Sequence, residues 1–178
     1  MKAAALVSMA SARLKLGGRL KPPSSTAPPM RMPLASGATI TTNKGARALV
    51  RTGDGAAVFL RSETTLKLLE HGVELTSGEI WVDAPRTGSD AFAIKSGNYV
   101  ATASDAGIDV RREGSAIAVY VSRGLAVMSS PGGRVEIGAG EQGKATGDGK
   151  PEVASVKFWN DWTGGMVEQR GAGRFIGS

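Results

Sequence analysis

Residues 138–145, Gly138-Ala-Gly-Glu-Gln-Gly-Lys144-Ala145, come close to a phosphate-cradling loop. In such a loop backbone N–H groups and a lysine hold the phosphates while a hydroxyl holds magnesium. Here Ala145 stands where the hydroxyl is needed, and Thr146-Gly-Asp-Gly-Lys-Pro151 follows instead of a helix, so the helix terminus that would complete the anion field is missing. A glycine turn with an exposed lysine is the better reading. The glycines of Gly171-Ala-Gly173-Arg-Phe-Ile-Gly177 have the wrong spacing for a dinucleotide fingerprint and no strand-then-helix context. His71 is the only histidine and sits beside Gly72 in a turn-like setting, which removes the usual base of hydroxyl-nucleophile triads and any histidine-clustered metal centre. Glu74, Glu79, Glu136 and Glu141 could in principle pair for acid–base work. Alternation places Glu74 and Glu136 opposite apolar neighbours, however, and Glu79 and Glu141 directly follow turn glycines. Their spacing matches no calcium loop. No catalytic residue, metal ligand or cofactor site is expected, and the chain is read as a non-enzyme.

The residues best suited to recognition are aromatic. Phe158, Trp159 and Trp162 fall at a spacing that suits one helical turn stopped by Gly164-Gly165, and two of the chain's three tryptophans lie there. Either they cap an open end of the body, or they form a surface for a protein partner.

The elements that must position these residues are strands. The chain has 178 residues, of which 41% are hydrophobic but only 5% aromatic, with 25 glycines. Such a core is built from small and β-branched side chains, and the glycines suit turns between strands. Runs of period-two alternation recur from residue 38 to residue 137, each ending at Gly, Asp, Asn or Ser. About a dozen short strands are predicted. Val73-Glu-Leu-Thr-Ser-Gly78-Glu79 and Val135-Glu-Ile-Gly-Ala-Gly140-Glu141 nearly repeat, and Val119-Tyr-Val-Ser-Arg-Gly124 is a looser copy. Stacked units of this kind make a solenoid-like winding compete with a twisted sandwich. The expected organisation is a basic, proline-rich and disordered arm over 1–36, a β domain over 37–150 and a Trp- and Gly-rich tail over 151–178. Residues 1–12 resemble a weak secretory signal ending Ala10-Ser11-Ala12.

Charge separates the arm from the body. The net charge is +6, but residues 1–50 hold eight basic residues and no acid, leaving 14 basic against 16 acidic in the rest. The arm could touch phosphate groups nonspecifically, yet no aromatics interleave its charges for base stacking. Without cysteine, disulfides and thiolate sites are excluded. No apolar run approaches the roughly 20 residues that cross a bilayer as a helix.

The order of elements resembles the sensor domain of the FecR family of iron-signalling regulators. Thr52-Gly-Asp54-Gly55-Ala-Ala-Val58-Phe-Leu60 is similar to the family's Asp-Gly-Ser turn and following strand, and Thr65-Leu66-Lys-Leu68 to the next. Val73-Glu-Leu75-Thr-Ser-Gly78-Glu79-Ile-Trp81-Val82 is similar to the family's best-kept stretch, a strand, a Gly-Glu turn and an aromatic-containing strand. Ala91-Phe92-Ala-Ile94 falls at its phenylalanine-led strand, and Gly140-Glu141 where the domain closes. Two positions depart: Asp105-Ala106 replaces the Gly-Thr before Ile108-Asp109-Val110, and Arg123-Gly124 replaces a Glu-Gly turn. The resemblance spans roughly 37–146 and implies an extracytoplasmic binding or scaffold module. Its partner would be an envelope receptor or regulator. No counterpart is seen for the family's membrane helix, cytoplasmic anti-sigma segment or receptor-contacting end. A self-assembling structural subunit and a basic-arm anchor to nucleic acid or an anionic polymer are the alternatives.

Overall fold

A computed structural model describes residues 4–10, 13–14, 30–86, 91–165 and 167. Fourteen strands run through them: β1 (Ala4–Ala10), β2 (Arg13–Leu14), β3 (Met30–Ala35), β4 (Thr39–Thr41), β5 (Arg47–Arg51), β6 (Ala57–Leu60), β7 (Thr65–Leu68), β8 (Val73–Ala84), β9 (Phe92–Ser96), β10 (Tyr99–Glu113), β11 (Ala116–Ser130), β12 (Gly133–Gly138), β13 (Glu141–Thr146) and β14 (Glu152–Ser155). The all-β reading holds, and the strands join in one sheet.

Three strands are longer than alternation suggested. β8 has 12 residues, and β10 and β11 have 15 each. The runs read from sequence as separate short strands are two halves of one strand that turns a corner without leaving the ladder. The corners fall at residues with positive φ: Gly78 at 93°, Asp105 at 50° and Gly124 at 79°. A Cβ at Gly124 would lie 2.6 Å from the Asp105 carbonyl oxygen, so the two corners interlock. Asp105 takes the left-handed conformation with one of the few side chains that tolerates it.

These corners fold the sheet into two facing layers. One contains β3, β1, β5, β6, the C-terminal halves of β8 and β10, the N-terminal half of β11, β13 and β14. The other contains β2, β4, β7, the N-terminal halves of β8 and β10, β9, the C-terminal half of β11, and β12. The β8–β9 pairing is parallel.

Between the layers lies one hydrophobic cluster. Val58, Leu60, Ile80, Val82, Ile108, Val110, Val119 and Val121 face it from the first layer, with Leu66, Leu75, Ile94, Met128 and Ile137 from the second. Each aliphatic side chain withdrawn from water contributes about 1.5–3 kcal/mol.

The sheet ends at β3 on one side and β14 on the other. Pro33 lies in β3, an edge strand, where proline is tolerated and discourages further pairing. β14 has no proline. Part of the segment read as an arm thus joins the sheet: β3 and β1 pair with each other, β1 continues onto β5, and Leu34 is buried in the core. Met30, Met32 and Leu34 alternate along β3, a period hidden by the surrounding prolines. Most of the proline-rich stretch, part of the signal-like start and the extreme C-terminus lie outside the described residues.

Candidate functional site

Alternation in the first layer sends every second residue to its outer face. Cross-strand register aligns Phe59, Trp81, Asp109, Tyr120 and Gln142 in one row there. The neighbouring row holds Glu79, Arg111, Ala118 and Lys144. A free outer face would leave Trp81 and two carboxyl groups in water. Instead, Trp81 is buried, Asp109 is 3% exposed and Glu79 is 8% exposed.

The cover is the segment that leaves β14. The Val156 N–H donates to the Gly140 carbonyl at 2.9 Å, and residues 156–165 then fold back over the row as a strap. Trp159 stacks on Tyr120, with ring centroids 5.0 Å apart and planes inclined by 13°, and tilts against Trp81 at 5.4 Å. The Trp162 indole N–H donates to Asp109 Oδ1 at 2.8 Å, and Trp162 is 7% exposed. Gly107 makes room for this packing, because a Cβ there would come within 2.8 Å of Trp81 Cζ2.

The strap is not a helical turn. Asp161 Oδ1 accepts the Thr163 N–H at 2.8 Å and Oδ2 accepts the Gly165 N–H at 3.1 Å. These local side-chain bonds satisfy the amides a helix would have used.

Beneath the tryptophans the charge arrangement is compact. The Arg61 guanidinium donates to Glu79 Oε2, and the same guanidinium lies 5.8 Å from the Trp162 ring centroid, a cation–π distance. Burial, then the charge of nearby Glu79, pushes the Asp109 carboxyl well above the ordinary carboxylate range; the indole N–H of Trp162 offsets part of this. Roofed by two indoles, the pair holds the strap in place.

The residues singled out in the sequence fall into three groups. Trp81, Trp159, Trp162 and Glu79 meet at this cluster. Glu79 is a correction to the turn reading, because it begins the second arm of a bent strand and points under the strap. Gly78, Gly124, Gly140, Glu141, Asp54 and Gly55 shape backbone elsewhere. Gly140 donates its N–H to the Val121 carbonyl at 2.8 Å, Glu141 Oε2 accepts the Gly138 N–H at 2.7 Å, and Asp54 accepts from Thr52 Oγ1 before Gly55 at φ 90°. Phe158 stands apart, 82% exposed on the strap's outer side. Sequence reasoning missed Asp109, Arg61 and Tyr120, whose outward phase reads as solvent exposure. The usable signal was Trp81 on that same phase, matched by tryptophans in the tail.

A family model described as FecR protein matches residues 38–127, half of the chain. The chain belongs to the FecR family. The match runs from β4 into β11; β12 to β14 and the strap lie beyond it. Two crystal structures of a candidate anti-sigma factor from Parabacteroides distasonis ATCC 8503 share the FecR-like fold. Each has a TM-score of 0.60 and 20% identity, covering 67% of this chain and 60% of the other. A search of curated proteins gives no match. No helix among the described residues is long and apolar enough to cross a membrane.

Proposed function

We propose that this chain is a non-enzymatic, protein-binding module of a FecR-type signalling system, working outside the cytoplasm. The partner adds along the free edge of β14 and contacts Phe158. The observation that carries the reading is an exposed Phe158 close in sequence to the β14 edge, which pairs with β13 alone among the described residues. Register places Ala154 opposite Gln142. With Val156 bonded to Gly140, the alternating ladder turns the amides of Val153 and Ser155 outward. An extended partner segment supplies the missing hydrogen bonds, and an exposed aromatic beside them provides the apolar anchor. Trp162, which is buried, and Trp159, which is half-buried, contribute by fixing the strap that presents Phe158. Membership of a regulator family and the fold shared with a candidate anti-sigma factor support the signalling context.

The test is photo-crosslinking in intact native cells from positions 153 and 158, followed by mass spectrometry of the captured proteins and of this chain's own N-terminus. An envelope receptor or membrane regulator captured from both positions, with capture from position 153 lost in Phe158→Ala, is the expected result. Capture of a second copy alone replaces this reading with a structural assembly. Cytosolic partners on a chain that keeps residues 1–12 overturn the location.

A further inference from the structure

The strap rests on two buried carboxyl groups, and among the described residues one cation, Arg61, is paired with them. Asp109 and Glu79 lie on adjacent strands under the same indoles, and Arg61 is committed to Glu79. Asp109 receives the neutral Trp162 N–H.

Among the described residues the remaining nearby cations are engaged elsewhere or lie a row away, and in the row beyond Asp109 the Arg123 guanidinium donates to Asp83 at 2.9 Å. Arg111, in register with Glu79, is paired with Glu113 at 3.6 Å. On β11 the neighbour is Tyr120, and on β13 it is Gln142, with Lys144 a row away beyond Ala118. On the strap, Asp161 is occupied by the strap's own amides and Lys157 is exposed.

We propose that residues 156–165 are a proton-operated latch, docked while the buried Asp109 carboxyl beside Glu79 holds a proton and lifted from the sheet when Asp109 ionises. Docked, the second negative charge would sit beneath two indoles, away from water and facing one guanidinium. Lifted, the outer face opens and water solvates both carboxylates. The docked state therefore binds the proton more tightly than the open one.

The sign follows from that difference. Asp109 is raised in the docked state, so the contribution to docking is fully present below the ordinary carboxylate range and is lost as pH rises through the docked-state value. A single proton limits the effect to about a tenfold fall in the docking constant per pH unit.

The test follows the indole N–H resonances of the full chain by two-dimensional NMR between about pH 5 and about pH 9. Trp162 is assigned by the peak missing in Trp162→Phe. Its peak is expected to leave the docked position with rising pH while far-ultraviolet circular dichroism keeps its strand signal. In Asp109→Asn, whose amide oxygen still accepts the indole N–H, the peak should remain docked throughout. Glu79→Gln provides a second variant should Asp109→Asn not fold: with the neighbouring charge gone but the burial of Asp109 kept, release should move to lower pH. A wild-type peak that stays fixed overturns the latch, and so does an unchanged titration in either variant. Loss of strand signal together with the peak shift also overturns it, since that would be global unfolding.

Discussion

Gly78→Ala probes the corner that brings Glu79 beneath the strap. Gly78 has φ 93°, and a Cβ there would lie 2.4 Å from Thr64 Oγ1 and 2.6 Å from Thr64 Cα. Thr64 cannot retreat cheaply. Its hydroxyl accepts the Glu79 N–H at 3.1 Å and donates to the Glu79 carbonyl at 3.2 Å, holding the residue that follows the bend by both backbone groups. The substitution therefore carries about 1–2 kcal/mol of left-handed backbone strain and roughly 1–3 kcal/mol of overpacking. Gly140→Ala separates these terms, because Gly140 has φ 82° but nothing within 4 Å of its added Cβ. It should lose only the backbone share, about 1–2 kcal/mol.

Urea unfolding of both variants and the wild type measures the difference. With a slope of roughly 1–3 kcal/mol per molar urea, Gly78→Ala should lower the midpoint by about 1–2 M, and Gly140→Ala by half that or less. Against a total stability of about 5–15 kcal/mol, the first loss is large enough to leave a folded but weakened protein. Equal losses in the two variants, or a Gly78→Ala loss within about 0.5 kcal/mol of zero, would refute the corner argument. A shifted Glu79 should also loosen Trp162, so the tryptophan emission of Gly78→Ala should move to the red before unfolding begins.

Three further predictions address the strap. Arg61→Ala leaves the Glu79 carboxylate without its cation and should cost about 1–3 kcal/mol, discounted from a fully buried pair because Arg61 is partly exposed; thermal melts read the loss. Trp162→Ala should undock the strap while the sheet stays folded, so trypsin should cut after exposed Lys157 about tenfold faster or more, with circular dichroism unchanged. Phe158→Ala should leave stability within about 0.5 kcal/mol of the wild type yet abolish crosslinks to the partner; a matching loss of stability would return Phe158 to a packing role.

The sequence made the strand content and the family legible because period-two alternation survives in nearly every strand. It did not reveal that the strands bend. Val73-Glu-Leu-Thr and Glu79-Ile-Trp-Val look like separate strands because Gly78 normally signals a turn. Here its positive φ bends a ladder that continues on both sides. The same holds for Gly124, while at Asp105 the bend uses a residue that gives no glycine signal at all. Met30, Met32 and Leu34 show the opposite difficulty, a correct period obscured by prolines.

The candidate site was less legible because alternation assigns a residue to a face without saying what covers that face. Asp109 between Ile108 and Val110 reads as an ordinary outward carboxylate, and Tyr120 between Val119 and Val121 as an ordinary outward ring. Both are covered by a strap about 50 residues further along the chain from Asp109. Composition held the remaining clue. The chain has three tryptophans and two tyrosines, and all the tryptophans and one tyrosine meet over this single row. The core between the layers is largely aliphatic and alanine-rich, so aromatic bulk was not needed chiefly to fill it. Aromatic rings here serve mainly to close an outer surface around two carboxyl groups, where their faces exclude water and their N–H groups can hold an oxygen. A fold that only required a capped edge could use aliphatic side chains and leave the carboxylates in water. Concentrating indoles over buried acids couples the strap's position to protonation, and that coupling is what the Asp109→Asn titration measures.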